Sequence, residues 1–271
     1  MQAPLLKIEG LDVGYRNGRD CKVVVGAIDA TLCAGEVVAL IGMNGAGKST
    51  LLRTLSAFQP PLSGKVGFAM GDVVNLSPGE LAKCVSVVLT DNSFATLTVD
   101  ELVSLGRTPY TGFLGRLTTV DKNVVAAAME RMGVAHLAGR VVTTLSDGER
   151  QKCLIAKAIA QQTPLMLLDE PTAFLDFRSK VQLFNTLRTL AADAGKAIVV
   201  STHDIEMALR FTTKLWLVCD GRLYEGGVQQ LAADGLLQRF IDGDGIVYDK
   251  ENNRIEITRE GAFKAASKNI N

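Results

Sequence analysis

Three short apolar runs punctuate the chain: VVALIG ending at Gly42, LMLLD (165–169) and AIVVST (197–202). Each is nearly continuous and is followed by apolar residues at helical spacing. Parallel strands covered on both faces read this way. Upstream, LLKIEGLDVGY and KVVVGAIDATLCAGE alternate apolar with polar positions and carry glycine punctuation, which predicts an antiparallel sheet at the N-terminal end. From about Thr98 to Leu137 the period changes. VDELVSLG and VDKNVVAAAMERMGV carry helical spacing on either side of a loop, RTPYTGFLGRLTT, so a helical insert interrupts an α/β core. After Gly221 come RLYEGG, one small helix over VQQLAADGLLQRF, and IVYDKENNRIEIT, a hairpin turning at Asn-Asn. The residues from Arg259 read as a frayed tail.

Composition excludes several classes. The chain has 271 residues, with 29 basic and 29 acidic side chains, so no global field draws in nucleic acid or an anionic membrane. No run is apolar long enough to span a bilayer, and MQAPLLKIEGLDVGY does not read as a signal peptide. The five scattered cysteines lack CxxC pairing and read as buried free thiols of a reducing compartment.

Chemistry concentrates in four places. GMNGAGKST (42–50) follows a buried strand and opens a helix. Gly42, Gly45 and Gly47 let the backbone N–H groups converge on phosphate oxygens, Lys48 reaches the outer phosphates, and the Ser49 hydroxyl ligates Mg²⁺; Asn44 and Thr50 complete the loop. LMLLDEPT (165–172) delivers two carboxylates at a strand tip: Asp169 for Mg²⁺ and Glu170 as general base for a water. Taken alone, Asp-Glu-Pro after a strand is also an ordinary helix start. STHD (201–204) places His203 at the same edge, where an imidazole can bond a γ-phosphate. The other histidine, His136, sits in GVAHLAG and reads as structural. TLSDGERQK (144–152) reads as a second helix start with free N–H groups, and so as a second anion site.

The order phosphate loop, helical insert, LSDGE, LLDEP, AFLD, STHD resembles the ATP-binding subunits of ABC transporters, over nearly the whole chain up to about Gly227. The resemblance implies a P-loop NTPase core, a mixed sheet with an N-terminal antiparallel part, carrying an inserted helical subdomain. It implies an ATPase domain over 1–245 with the insert at about 92–145, then a short hairpin and tail over 246–271. It further implies a homodimer that sandwiches two ATP, in which Ser146 and Gly148 of one copy contact ATP held by the other and Asp176 sits at the dimer contact. Tyr15 matches the aromatic that stacks on adenine, though a core-facing strand-end aromatic is the alternative.

Two positions depart from the family pattern. Asp147 stands where glycine is usual. A carboxylate about 4 Å from a phosphate would cost on the order of 1–4 kcal/mol, more than the about 0.3–1 kcal/mol it gains at a helix N-terminus, so its side chain is expected to turn away. Thr90 stands where the family places a glutamine, leaving its hydroxyl, or Asn92, as the Mg²⁺ ligand. LGRTPYTGFLGRLT is similar to the ATPases of importers for iron–siderophore complexes, haem and cobalamin. The insert offers Phe94, Tyr110 and Phe113 either to a permease or to its own interior. The resemblance therefore implies a peripheral subunit on the cytoplasmic face of a membrane, partnered by integral permease subunits and not by nucleic acid. The alternative is an ABC-type ATPase of a non-importer system. Exporter subunits carry membrane spans, repair and chromosome relatives carry long coiled coils, and a small-molecule kinase leaves LSDGE unexplained.

Overall fold

Two long alternating strands, Leu6–Asn17 (β1) and Asp20–Leu32 (β2), pair antiparallel with Leu6 opposite Leu32, so Leu6, Ile8, Leu11, Val25, Ile28 and Leu32 fall on one buried face. This computed structural model describes residues 4–257 apart from 19, 69–70, 90–95, 113–114 and 244. Ser63–Phe68 (β4) and Gly71–Asp72 (β5) extend the sheet in the order β2-β1-β4-β5. Val37–Gly42 (β3) is buried at every position and lies in a second sheet with Val85–Val88 (β6), Leu165–Asp169 (β7), Ala197–Ser201 (β8), Lys214–Cys219 (β9) and Arg222–Gly226 (β10). Its order is β10-β9-β3-β8-β7-β6, parallel except for the antiparallel β9–β10 pair. The expected mixed sheet with an antiparallel N-terminal part is thus observed.

The second sheet is covered on both faces. Lys48–Leu55 (α1) packs between the sheets, where Leu51, Leu52 and Leu55 join Leu40, Leu167, Val199 and the fully buried Trp216. Pro78–Cys84 (α2) leads into β6. On the opposite face, Asp147–Ala160 (α5) and Phe177–Ala194 (α6) share a core with the insert helices Val99–Ser104 (α3) and Thr119–Arg131 (α4). Ile205–Phe211 (α7), Val228–Ala233 (α8) and Leu236–Ile241 (α9) form a third cluster. Tyr248 from the hairpin of Ile246–Asp249 (β11) and Arg254–Ile257 (β12) inserts into it.

Several local expectations need correction. VQQLAADGLLQRF is two helices, because Gly235 takes φ 75° between them and breaks the α8 hydrogen-bond ladder. The hairpin turns through four residues, 250–253, with Asp249 paired to Arg254 and Asn253 at φ 50°, a wider loop than an Asn-Asn turn. The start of the RTPYTGFLGRLTT loop is a 3₁₀ turn over Leu105–Tyr110. Its cause is Arg107, whose buried guanidinium donates to Asp121 Oδ1 at 2.9 Å, Ala160 O at 2.8 Å and Gln162 Oε1 at 2.9 Å, tying the segment to α4 and to the end of α5. Gly106 is needed there, since a Cβ would lie 2.4 Å from Lys157 O. All five cysteines are free, but only Cys84 and Cys153 are buried, while Cys21 is exposed on β2. His136 is exposed on a 3₁₀ turn rather than packed.

Candidate functional site

The phosphate loop is shaped by contacts behind it. Gly42 ends β3 where a Cβ would come 2.8 Å from Val218 O, so no larger residue fits without moving β9. Gly45 and Gly47 take φ 76° and 104°, a conformation L side chains rarely adopt, and Gly47 opens α1. The loop and the N-terminal end of α1 therefore line the same space. Lys48 folds back, donating from Nζ to Gly42 O at 2.7 Å and Met43 O at 3.2 Å. Burial holds its amine below the usual lysine range, and the nearby Glu170 and Asp169 carboxylates oppose that shift.

Beside the loop, β7 and β8 end together, with Asp169 opposite Ser201. The Ser201 hydroxyl donates to Asp169 Oδ1 at 2.5 Å and accepts from the Glu170 N–H at 3.0 Å. Glu170 itself has φ 50°, unusual for a non-glycine residue. One buried serine thus fixes both carboxylate-bearing residues. Glu170 Oε1 lies 2.8 Å from His203 Nε2, yet this buried oxygen has no aligned hydrogen-bond donor. Burial pushes the Glu170 carboxyl above the usual carboxylate range, Asp169 adds to the rise, and His203 and Lys48 oppose it.

These residues share one cleft of about 550 Å³. It is lined by Asn44, Gly45, Gly47, Lys48, Ser49 and Thr50 from the loop and α1, by Glu170 and His203, and by Tyr15. Asp169 lies buried beneath it. The Tyr15 hydroxyl is 2.9 Å from Thr50 Oγ1 and the residue is 54% exposed, so its ring lies at the cleft rim rather than in the core. Sequence reasoning missed two contributors. Lys22, Val23 and Val24 of β2 complete the wall, and no local motif marks them. Ser201 bridges the carboxylates, and its only signal was a small polar residue ending an apolar strand.

The second predicted anion site is elsewhere. Ser146 caps α5, its hydroxyl accepting from Glu149 N–H while Glu149 Oε2 accepts from Ser146 N–H at 3.0 Å and from its hydroxyl at 2.8 Å. The backbone N–H of Ser146 holds the Glu149 carboxyl below its usual range. Ser146, Asp147 and Gly148 line a separate cleft of about 410 Å³ with Lys152, Phe174 and Asp176. Gly148 packs closely, since a Cβ there would meet Phe174 O at 3.1 Å. The Asp147 side chain runs along the helix to Arg150 Nη1 at 2.9 Å. Asp176 caps α6, accepting from Ser179 N–H at 2.7 Å, and that bond lowers its pKa. The two clefts share no lining residue.

Thr90, Asn92, Phe94 and Phe113 lie outside the described residues. Tyr110 is 39% exposed but docked, its hydroxyl donating to Gln161 O at 3.0 Å and the Arg107 guanidinium standing 4.1 Å from its ring centroid. Among the described residues no helix is long and apolar enough to cross a membrane.

Comparison with known proteins agrees with this geometry. The ABC transporter family model matches residues 25–173. The cobalamin import ATP-binding protein of Halobacterium salinarum is 40% identical over 256 residues, 93% of this chain and 63% of that protein, so the chain spans less than two thirds of that relative. The iron(3+)-hydroxamate import ATP-binding protein of Bacillus subtilis is 34% identical over 92% of both chains. A solved dimeric post-hydrolysis state of an ATP-binding cassette, bound to ADP and Pi, superposes with a TM-score of 0.72 at 26% identity, covering 82% of this chain and 98% of that one.

Proposed function

The chain belongs to the ABC transporter family, and from that premise we propose that it is the ATP-hydrolysing subunit of a membrane importer for an iron complex or cobalamin. Residues 1–245 form its ATPase domain, and the helices inserted at about 92–145 meet the permease subunits at the cytoplasmic face. The relatives named for import of iron(3+)-hydroxamate and cobalamin support the cargo class. The similarity of LGRTPYTGFLGRLT to such ATPases points the same way.

The observation that carries the reading is that the phosphate loop and the α5 start line distinct clefts. Two copies arranged head to tail put the α5 start of one against the phosphate loop of the other, giving two composite ATP sites. Tyr15 stacks on the adenine. The backbone N–H groups of residues 44–50 cradle the phosphates, and Lys48 exchanges its carbonyl partners for the outer phosphates. Mg²⁺ fits the donors present, the Ser49 hydroxyl and the buried Asp169 carboxylate, both hard oxygen ligands. When bound, the ion neutralises charge on the β- and γ-phosphates. Among the described residues no group of three or more His, Cys, Asp or Glu could hold a metal unaided, which suits an ion shared with substrate phosphates and water. Glu170 takes the proton of the attacking water, and His203, beside it, bonds the γ-phosphate. Ser146 and Gly148 of the second copy close over that phosphate, with Asp176 at the contact.

A Glu170→Gln chain given Mg²⁺ and ATP should accumulate as a dimer by light scattering, because turnover no longer releases it. Adding Ser146→Arg should leave ATP affinity near parental and the protein monomeric. If the double variant dimerises as readily as Glu170→Gln alone, the α5 start does not hold a second copy's ATP.

A further inference from the structure

The first turn of α5 carries two carboxylates, Asp147 and Glu149, at the place where a second copy's γ-phosphate would enter. Glu149 is consumed by the capping box with Ser146. Asp147 is not: its side chain is 60% exposed at the rim of the cleft. Arg150 meets it at 2.9 Å, and the same guanidinium donates from Nη2 to Leu145 O at 3.1 Å. Leu145 immediately precedes the cap, so the arginine is braced against the backbone on one side and the carboxylate on the other. Its side chain is 26% exposed, far less free than a solvated surface arginine.

We propose that Arg150 is a positioning residue that neutralises Asp147 and holds it along the helix, so that this acidic signature can receive the γ-phosphate of ATP bound to a second copy. The inference rests on the head-to-tail reading above. With Arg150 in place, each of the three carboxylates around the cleft has a partner, Asp147 the guanidinium, Glu149 the Ser146 N–H and Asp176 the Ser179 N–H, and the approaching phosphate meets Lys152 and the start of α5 rather than an unpaired carboxylate. Without Arg150, Asp147 swings free within a few ångströms of the phosphate path, where like charges repel strongly. At Gly148, by contrast, a Cβ would sit 3.1 Å from the Phe174 carbonyl oxygen, a tight contact that disfavours a side chain. The signature tolerates a carboxylate at position 147 only because a partner one helical turn on restrains it.

The test is a cycle in the Glu170→Gln background with Mg²⁺ and ATP, reading the monomer–dimer constant by sedimentation and the monomer's ATP affinity by equilibrium binding. Arg150→Ala should weaken dimerisation by about tenfold or more, since a symmetric dimer carries the change twice. ATP affinity and the circular-dichroism melt should stay near those of the background protein. Asp147→Gly alone should dimerise at least as well as the background. Asp147→Gly combined with Arg150→Ala should recover to within about threefold, because no unpaired carboxylate remains. Arg150→Lys, which keeps the charge, should fall between. A weakened Arg150→Ala chain that Asp147→Gly fails to rescue would assign Arg150 to the Leu145 carbonyl alone and overturn the proposal, as would an Arg150→Ala chain that dimerises normally. A Glu170→Gln chain that never dimerises with ATP would sink both this inference and the function beneath it.

Discussion

Replacing Glu170 by glutamine exchanges one carboxylate oxygen for an amide nitrogen and leaves the side-chain volume unchanged. The Ser201 hydroxyl that accepts from its N–H does not depend on the charge, and His203 at 2.8 Å can face an amide oxygen where it now faces the carboxylate. A positioned general base contributes about 10²–10⁴-fold to rate. Glu170 belongs toward the upper half of that range, because its side chain is only 17% exposed and burial outweighs the His203 and Lys48 charges in raising its pKa. Turnover should fall about 10³-fold, equivalent to about 4 kcal/mol of barrier, while Lys48 and the loop keep ATP affinity within about threefold, under 1 kcal/mol. Steady-state phosphate release and equilibrium binding of labelled ATP separate the two. The pH dependence adds a second constraint. The base works as the carboxylate, and burial raises its pKa, so parental turnover should increase as pH rises through that elevated value and fade below it. Phosphate release by Glu170→Gln within a few-fold of the parent would refute the assignment, whatever the pH profile.

Tyr15→Ala should weaken ATP binding by about 1–3 kcal/mol, the range of a base–aromatic stack, while Tyr15→Phe, losing only the Thr50 contact, should bind nearly as the parent does; equal affinities for all three would return Tyr15 to a structural role. Lys196 is buried, donates to the Thr163 carbonyl, and has a pKa lowered to about 8 by burial. Between about 8 and its unfolded value of 10.5 the unfolded chain binds the extra proton, so stability rises with pH in that window. Denaturant melts of the parent and Lys196→Met should therefore shift relative to each other by on the order of 3 kcal/mol in the parent's favour from pH 8 to 10.5, and a constant difference would show the lysine to be solvated.

What the sequence determined by itself are the features whose signals are local. Glycines at 42, 45 and 47 before Lys48 specify a phosphate loop because the backbone geometry they permit is set within a few residues. Ser146 with Glu149 three positions on specifies a helix start for the same reason. The apolar runs of β3, β7 and β8 could be read as buried strands, and their order with the motifs identified the family. Where local signals competed with distant contacts, the reading failed. Gly235 broke a helix that the apolar spacing continued, and Arg107 pulled an apparent loop into a 3₁₀ turn through partners 14 to 55 residues away. Tertiary structure alone decided that Ser201 would bridge Asp169 and Glu170, that β2 would wall the nucleotide cleft, and that the α5 start would open onto a different cleft from the phosphate loop. The physical reason is range. Dihedral preference and side-chain period act over a turn or a strand, whereas the meeting of β7 with β8, and the separation of the two clefts, follow from how whole layers bury their apolar faces against one another.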